Sequence, residues 1–183
     1  GFLPELLERS DRWVICFGET EQMGLYQRLS DAVDGAEWIR SGWWRKPNGA
    51  PQISGDRPAV PGDAVAIMHR TGKKQWNSGG AHAFWRHNVC RRDRWHPTQK
   101  PLALMVELVL QFTDPGDLIW DPFCGSATTG VACIMYGRRY IGHEIDNEYA
   151  ERAAARLEAT ENGVTLEADE AGQQGLFKPE ETT

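Results

Sequence analysis

The chain has 183 residues, with 20 Lys plus Arg against 26 Asp plus Glu and a formal net charge of -6. Hydrophobic residues at 40% and charged residues at 25% are the proportions of a globular protein with a real core, which excludes a disordered chain or a fibre. No run of about 18 apolar residues occurs, so no membrane-crossing helix is expected, and the opening GFLPELLERSDRW lacks the basic flank and apolar stretch of a secretory signal.

FLPELLERS carries apolar residues at helical spacing, and RWVICFG, with its β-branched pair, reads as a buried strand. MGLYQRLSDAV restores the helical period, and Asp34-Gly35 ends it. AEWIRSGWWRK is the second strand, the proline-rich KPNGAPQISGDRPAVPGD a loop, and AVAIMHR the third strand. Residues 71 to 97 read as irregular, basic and aromatic; so long a structureless segment in a compact domain is usually functional. PLALMVELVLQFT is a helix opened by Pro101, DPGD a turn, and DLIWDPF a strand buried on both sides. SATTGVACIMYG is a helix ending at Gly137, RRYIGHEID a strand, and NEYAERAAARLEAT a helix capped by Asp146 or Asn147. Alternating strand and helix in this half imply a parallel, doubly wound α/β sheet. The expected organisation is one domain over residues 1–162, followed by an acidic tail over 163–183.

The bulk charge hides an asymmetry. Residues 37–101 hold 12 Lys/Arg and 4 Asp/Glu, a balance of +8, while the flanks together carry -14. Six of the eight tryptophans (Trp38, Trp43, Trp44, Trp76, Trp85 and Trp95) lie in that basic middle. Basic side chains interleaved with aromatics suit a nucleic-acid backbone with bases to stack on; a tryptophan core under a solvated arginine face would give the same composition. The cysteines Cys16, Cys90, Cys124 and Cys133 form no CxxC pair, so they read as reduced thiols of a cytoplasmic protein, with neither a disulfide framework nor a metal site.

The segment with the most chemistry is LIWDPFCGSATTG. A strand ends in Asp121, small residues allow close backbone approach, and a helix begins near Thr128 with free N–H groups. RYIGHEID then places Glu144 at the tip of a neighbouring strand, where a carboxylate can accept both hydrogens of a ribose diol. These features alone specify a nucleoside cofactor, nicotinamide dinucleotides included.

Together with HPTQKPLAL, from His96 to Leu104, DPFCGSATTG and GHEID resemble the amino-methylating DNA methyltransferases that use S-adenosylmethionine. The motif order is that of the family's β-type permutation. The resemblance is specific over residues 95–157 and weaker from Arg12 to Arg70. It implies a Rossmann-like methyltransferase sheet, with the cofactor-binding part at residues 96–157. It also implies roles residue by residue. Lys100 and Thr98 hold the methionine carboxylate, Asp121 faces the ammonium group, and Glu144 binds the ribose hydroxyls. Phe123 and the backbone around Gly125, Ser126 and Thr128 line the pocket, and His96 shapes the turn before Pro97. Ala127 stands where the family's loop has a second glycine, and His143 where it more often has an aliphatic residue.

In this family the target amine is held by a tetrapeptide such as DPPY, NPPY or SPPY, whose aromatic stacks on a flipped base. No such tetrapeptide stands in the 183 residues. Five strands are expected, near 12–18, 36–45, 63–69, 117–121 and 139–145, where the resemblance implies seven. The expectation is therefore a sheet incomplete at the N-terminus, lacking on the order of 50–80 residues that carry the catalytic motif. Methylation at cytosine C5 is not expected, since that chemistry places its thiolate after a proline and none of the cysteines follows one. The expected partner is double-stranded DNA, in a restriction-modification setting. Arg45, Lys46, Arg70, Lys73 and Lys74 are placed on phosphates, and Asn77, Arg86, Arg91 and Arg92 near base edges. A homodimer or a complementing chain would be a further partner.

Overall fold

The apolar run around Ile67 forms the centre of a mixed sheet. In the computed structural model, which describes residues 2–91 and 94–164, this sheet has the strand order β1-β3-β2-β4. The strands are β1 (Trp13–Gly18), β2 (Ala36–Arg45), β3 (Gly62–Arg70) and β4 (Phe84–Arg86). β3 is antiparallel to both β1 and β2, while β4 runs parallel to β2. Six of the nine β3 residues, Ala64 to His69, are buried in succession, because both faces of a central strand are covered. On one face Ala64, Ala66 and Met68 join Leu3 and Leu7 of α1 (Phe2–Arg9), Met23 of α2 (Met23–Asp31), and Val14 and Val33 in a single apolar cluster. Trp44 and Trp85, register neighbours on β2 and β4, are 2% and 1% exposed and anchor the sheet edge.

β4 is the element that periodicity missed. Three residues are too few to show alternation, and the segment 71–97 reads as irregular around them. Asn48 helps to hold the chain that follows: its amide both donates to and accepts from the backbone of Val89.

The chain divides into two units, Gly1–Val89 and Cys90–Thr183, with the boundary inside the basic 37–101 segment. The second unit contains α3 (Leu102–Phe112), β5 (Leu118–Asp121), α4 (Thr128–Met135), β6 (Arg139–Gly142) and α5 (Asn147–Glu161). β5 and β6 pair in parallel, as the alternating pattern implies, with Asp121 opposite Gly142. β6 ends earlier than expected, so Glu144 lies just beyond the strand. α4 packs against α3, α5 and β6. Gly130 permits that approach, since a Cβ there would meet Leu157 and the Tyr140 ring at 2.6 Å. Pro101 sits at the N-cap of α3, Gly137 follows α4 with φ +68°, and Asp146 caps α5 by accepting from the Tyr149 N–H. Arg138, only 9% exposed, donates to the Thr113 side chain and carbonyl and to the Tyr136 carbonyl, tying together the C-terminal ends of α3 and α4. The segment expected to be an acidic tail lies outside the described residues from 165 onward. Among the described residues, no helix is long and apolar enough to cross a membrane.

Candidate functional site

β5 delivers Asp121 to its carboxyl end, where the chain must turn through small residues into α4. Asp121 Oδ2 accepts from the Thr129 hydroxyl at 2.8 Å and Oδ1 from the Phe123 N–H at 3.3 Å. Burial pushes this carboxyl above the usual carboxylate range; the Thr129 and Phe123 hydrogen bonds and the Lys100 charge oppose the shift, and the Glu144 charge adds to it. The loop is laced to the chain beyond β6: the His143 N–H donates to the Asp121 carbonyl, and the Cys124 N–H to the His143 carbonyl, both at 2.9 Å. Glu144 Oε2 accepts from Gly125 N–H at 3.0 Å, and Oε1 from the N–H groups of Ile145 and Asp146 at 2.9 and 3.1 Å. A carboxylate offers about four lone-pair sites, so Oε2 keeps capacity for a hydroxyl donor.

HPTQKP meets this loop from the other side. The His96 ring lies 3.1 Å from where a Cβ on Gly125 would stand, and Gly125 itself has φ +52°. His96 Nδ1 accepts from the Thr98 N–H at 3.3 Å and lies 3.2 Å from its hydroxyl, which shapes the turn. Its ring also packs edge-on against Tyr149 of α5 at 4.6 Å, with Trp95 beside Tyr149 and the Arg152 guanidinium over Trp95. Lys100 is half-buried, and its charge acts on Asp121.

Ser126 and Thr128 are each 3% exposed, and their hydroxyls lie 3.0 Å apart, so these side chains bond to each other inside the fold. Phe123 and Ile145, which follow Asp121 and Glu144 in the chain by two residues and one, are by contrast 63% and 98% exposed. Behind the loop a cavity of about 130 Å³ is lined by Cys124, Ala127, Tyr140, Glu144, Ala150 and Leu157. That is below the roughly 300–1,000 Å³ of a ligand pocket. Burial pushes Cys16 up to about 11 and Cys133 up to about 12, so neither is a thiolate at neutral pH.

The five expected phosphate contacts do not share one end of the first sheet. Arg45 stands opposite Gly62, at the end where β1, β2 and β4 all terminate, with Lys46 next to it and Arg86 as its register neighbour. Arg70 stands opposite Ala36 at the other end. Lys73 and Lys74 follow it there, since Lys74 pairs with Glu37 at 2.6 Å and the Trp13 indole donates to the Gln75 carbonyl. Lys46 pairs with Asp63 and lies over the Trp44 ring, and Arg70 donates to the Asp34 carbonyl. Arg45, Lys73 and Arg86 are exposed. Arg92 lies outside the described residues.

A family model described as DNA methylase, of the N6/N4 methyltransferase type, matches residues 4–156. The chain belongs to the N6/N4 DNA methylase family. The type II methyltransferase M.XycI of Xanthomonas campestris pv. cyanopsidis is 32% identical over 156 residues, covering 78% of this chain and 52% of that protein. DNA adenine methyltransferase YhdJ of Escherichia coli (strain K12) is 49% identical over 63 residues, covering 34% of this chain and 21% of that protein. This methylase chain thus spans about half the length of the first of these relatives and about a fifth of the second. The crystal structure of an M1.HpyAVI–SAM complex superposes with a TM-score of 0.70 at 28% identity, covering 79% of this chain and 74% of that one. PvuII DNA methyltransferase (cytosine-N4-specific) shares the fold with a TM-score of 0.68 at 18% identity, over 87% and 67% of the two chains. The Rossmann-like methyltransferase fold follows.

Four residues that support the loop around Asp121 and its neighbours carry no sequence signal by themselves. Thr129 supports Asp121, Arg156 reaches the loop from α5, and Tyr149 backs His96. The fourth accounts for the unusual His143: the Trp120 indole donates to its Nδ1 at 3.0 Å, with the rings edge to face. A pair separated by 23 positions is visible only once β5 and β6 are aligned.

Proposed function

We propose that this chain binds S-adenosylmethionine and DNA as part of an amino-methyltransferase acting on adenine N6, with cytosine N4 as the other amine of the family. The observation that carries the reading is the convergence of Asp121, Lys100, the Gly125 backbone and Glu144 on one loop. Two carboxylates within electrostatic reach of each other, one of them partly desolvated, favour a ligand bearing positive charge. S-adenosylmethionine has a sulfonium and an ammonium, and its carboxylate suits the Lys100 point charge with Thr98 beside it. Glu144 would take a ribose hydroxyl on Oε2, and the exposed Phe123 and Ile145 would flank the adenine. When bound, the cofactor supplies an electrophilic methyl group for direct displacement by an exocyclic amine. This chain's own residues bind and orient it, and line the loop with backbone donors. The adenine choice draws support from the similarity to the protein named DNA adenine methyltransferase YhdJ.

The DNA is double-stranded and approaches the carboxyl end of the first sheet, where α/β sheets present their ligand faces. Arg45 and Lys46 stand at that end, whereas Arg70, Lys73 and Lys74 stand at the opposite one. The setting is cytoplasmic. Since no DPPY-like tetrapeptide stands within these residues, a second reading is a cofactor- and DNA-binding part whose amine-holding group comes from a complementing chain, such as a second copy.

Calorimetric titration with S-adenosylmethionine tests the cofactor site. Binding is expected, and Glu144→Ala is expected to weaken it by about tenfold or more, the magnitude of a lost charged hydrogen bond. Preferential binding of a nicotinamide dinucleotide would sink the reading. Transfer of labelled methyl groups to duplex DNA, with nucleoside analysis of the product, separates the enzyme from the binding part and adenine from cytosine.

A further inference from the structure

We infer that Arg156 is a positioning residue for the cofactor loop: its guanidinium braces the chain on both sides of Ala127 and holds the left-handed turn that shapes the site. The inference deepens the S-adenosylmethionine reading above and rests on it for its functional consequence.

Ala127 has φ +52° and ψ +32°, and among the described residues it is the only non-glycine residue with positive φ. A residue with a Cβ resists this conformation, which glycine adopts freely. The side chain is 0% exposed, so the turn is fixed in a packed setting. A loop that carries alanine there needs outside bonds to keep its shape, and α5 supplies them. Arg156 Nη1 donates to the Ser126 carbonyl at 2.7 Å and to the Thr128 hydroxyl at 3.1 Å. The Ser126 carbonyl belongs to the peptide that enters Ala127, so a rotation of Ala127 toward the right-handed region would swing it off the guanidinium. The bond is charge-assisted, and the Ser126–Thr128 hydroxyl contact closes the ring of bonds around the turn.

The helix that presents Arg156 is itself held in place. Asp146 caps its start, and Leu157, the next residue along, lies against Gly130 of α4. The same turn sets two bonds at the site, Gly125 N–H to Glu144 and Phe123 N–H to Asp121. Losing the brace would therefore be read at both carboxylates, although Arg156 is not needed to touch the ligand. Where a chain has glycine in place of Ala127, the turn needs no brace, and this difference makes the inference testable.

The experiment is a double-mutant cycle on the purified chain, pairing Arg156→Met with Ala127→Gly. Two readouts are used: the S-adenosylmethionine dissociation constant and amide hydrogen exchange over residues 124–131. Arg156→Met alone is expected to weaken binding about tenfold and to speed loop exchange; in the Ala127→Gly background its cost falls below about twofold, with loop exchange unchanged. Equal losses in the two backgrounds, or an Arg156→Met protein that binds and exchanges as the parent does, would overturn the brace. If circular dichroism shows that Arg156→Met does not fold, Arg156→Gln, which is uncharged and ends two atoms short of Nη1, replaces it in the same cycle with the same criteria. Failure of the parent chain to bind the cofactor would remove the cofactor reading alone, and the exchange arm would still decide the brace.

Discussion

His69 is 1% exposed on β3, its Nδ1 bonded to the Arg70 carbonyl and its Nε2 without a hydrogen-bond partner. The Trp13 ring packs edge-on against it at 4.5 Å, and the charges of Lys74, Arg12 and Glu37 act on it. Burial is the largest influence and lowers its proton affinity below the ordinary histidine value of 6.5. The sign follows directly: as pH falls through 6.5, the unfolded chain takes the proton before the folded one, so stability is lost from there down to the lowered value. The slope reaches up to about 1.4 kcal/mol per pH unit. Urea titrations between pH 7.5 and 5 are expected to show this loss, and His69→Phe, which keeps a ring against Trp13, is expected to flatten it. Identical slopes for the two proteins would mean that His69 is not held neutral. At this scale the sequence shows which residue types are unusual, Ala127 and His143 among them. The left-handed backbone that makes alanine costly at 127, and the Trp120 partner of His143 23 positions away, are seen only in the folded chain.

Among the elements, those with a long apolar period stand where the sequence puts them. β2 spans Ala36–Arg45 as expected, and β1, β3, α3 and α5 differ by a residue or two at their ends. β4 was not legible, because three residues carry no period and its stability comes from pairing with β2 and burying Trp85. The tight crossing of β2 and β3 has a consequence of its own. A Cβ on Gly62 would fall 1.8 Å from the Trp44 carbonyl oxygen, which is backbone and cannot rotate away. Gly62→Ala is therefore expected to cost about 3 kcal/mol, at the upper end for overpacking, by forcing the strands apart at Arg45. Chemical denaturation measures it, and a cost below about 1 kcal/mol would mean that the strand end yields freely.

Over the whole molecule, a charge of -6 conceals basic groups at both ends of the first sheet. The nine residues of β3 separate the ends by about 27 Å at roughly 3.4 Å per residue, so DNA lying at one end leaves the other without contact. The slope of log K against log salt reports each lost phosphate contact as about 0.9. Arg45→Ala is expected to flatten the slope by about that amount, while Lys73→Ala with Lys74→Ala leaves it unchanged, since Lys74 already pairs with Glu37. The reverse pattern would move the DNA to the Arg70 end.

Local chemistry determined what the sequence could declare alone. DPFCGSATTG with Glu144 marked a nucleoside site, because turns, strand tips and helix starts are short-range features, and the resemblance of HPTQKP, DPFCGSATTG and GHEID to the amino-methylating DNA methyltransferases named the family. The basic middle was legible only as composition. Tertiary structure decided which cations share an end and that Lys46 and Lys74 have acidic neighbours. It also decided that His96 packs on Gly125 and that Arg156 reaches across to the loop around Ala127. Strand register and helix packing bring together groups far apart in the chain, and no local period encodes that.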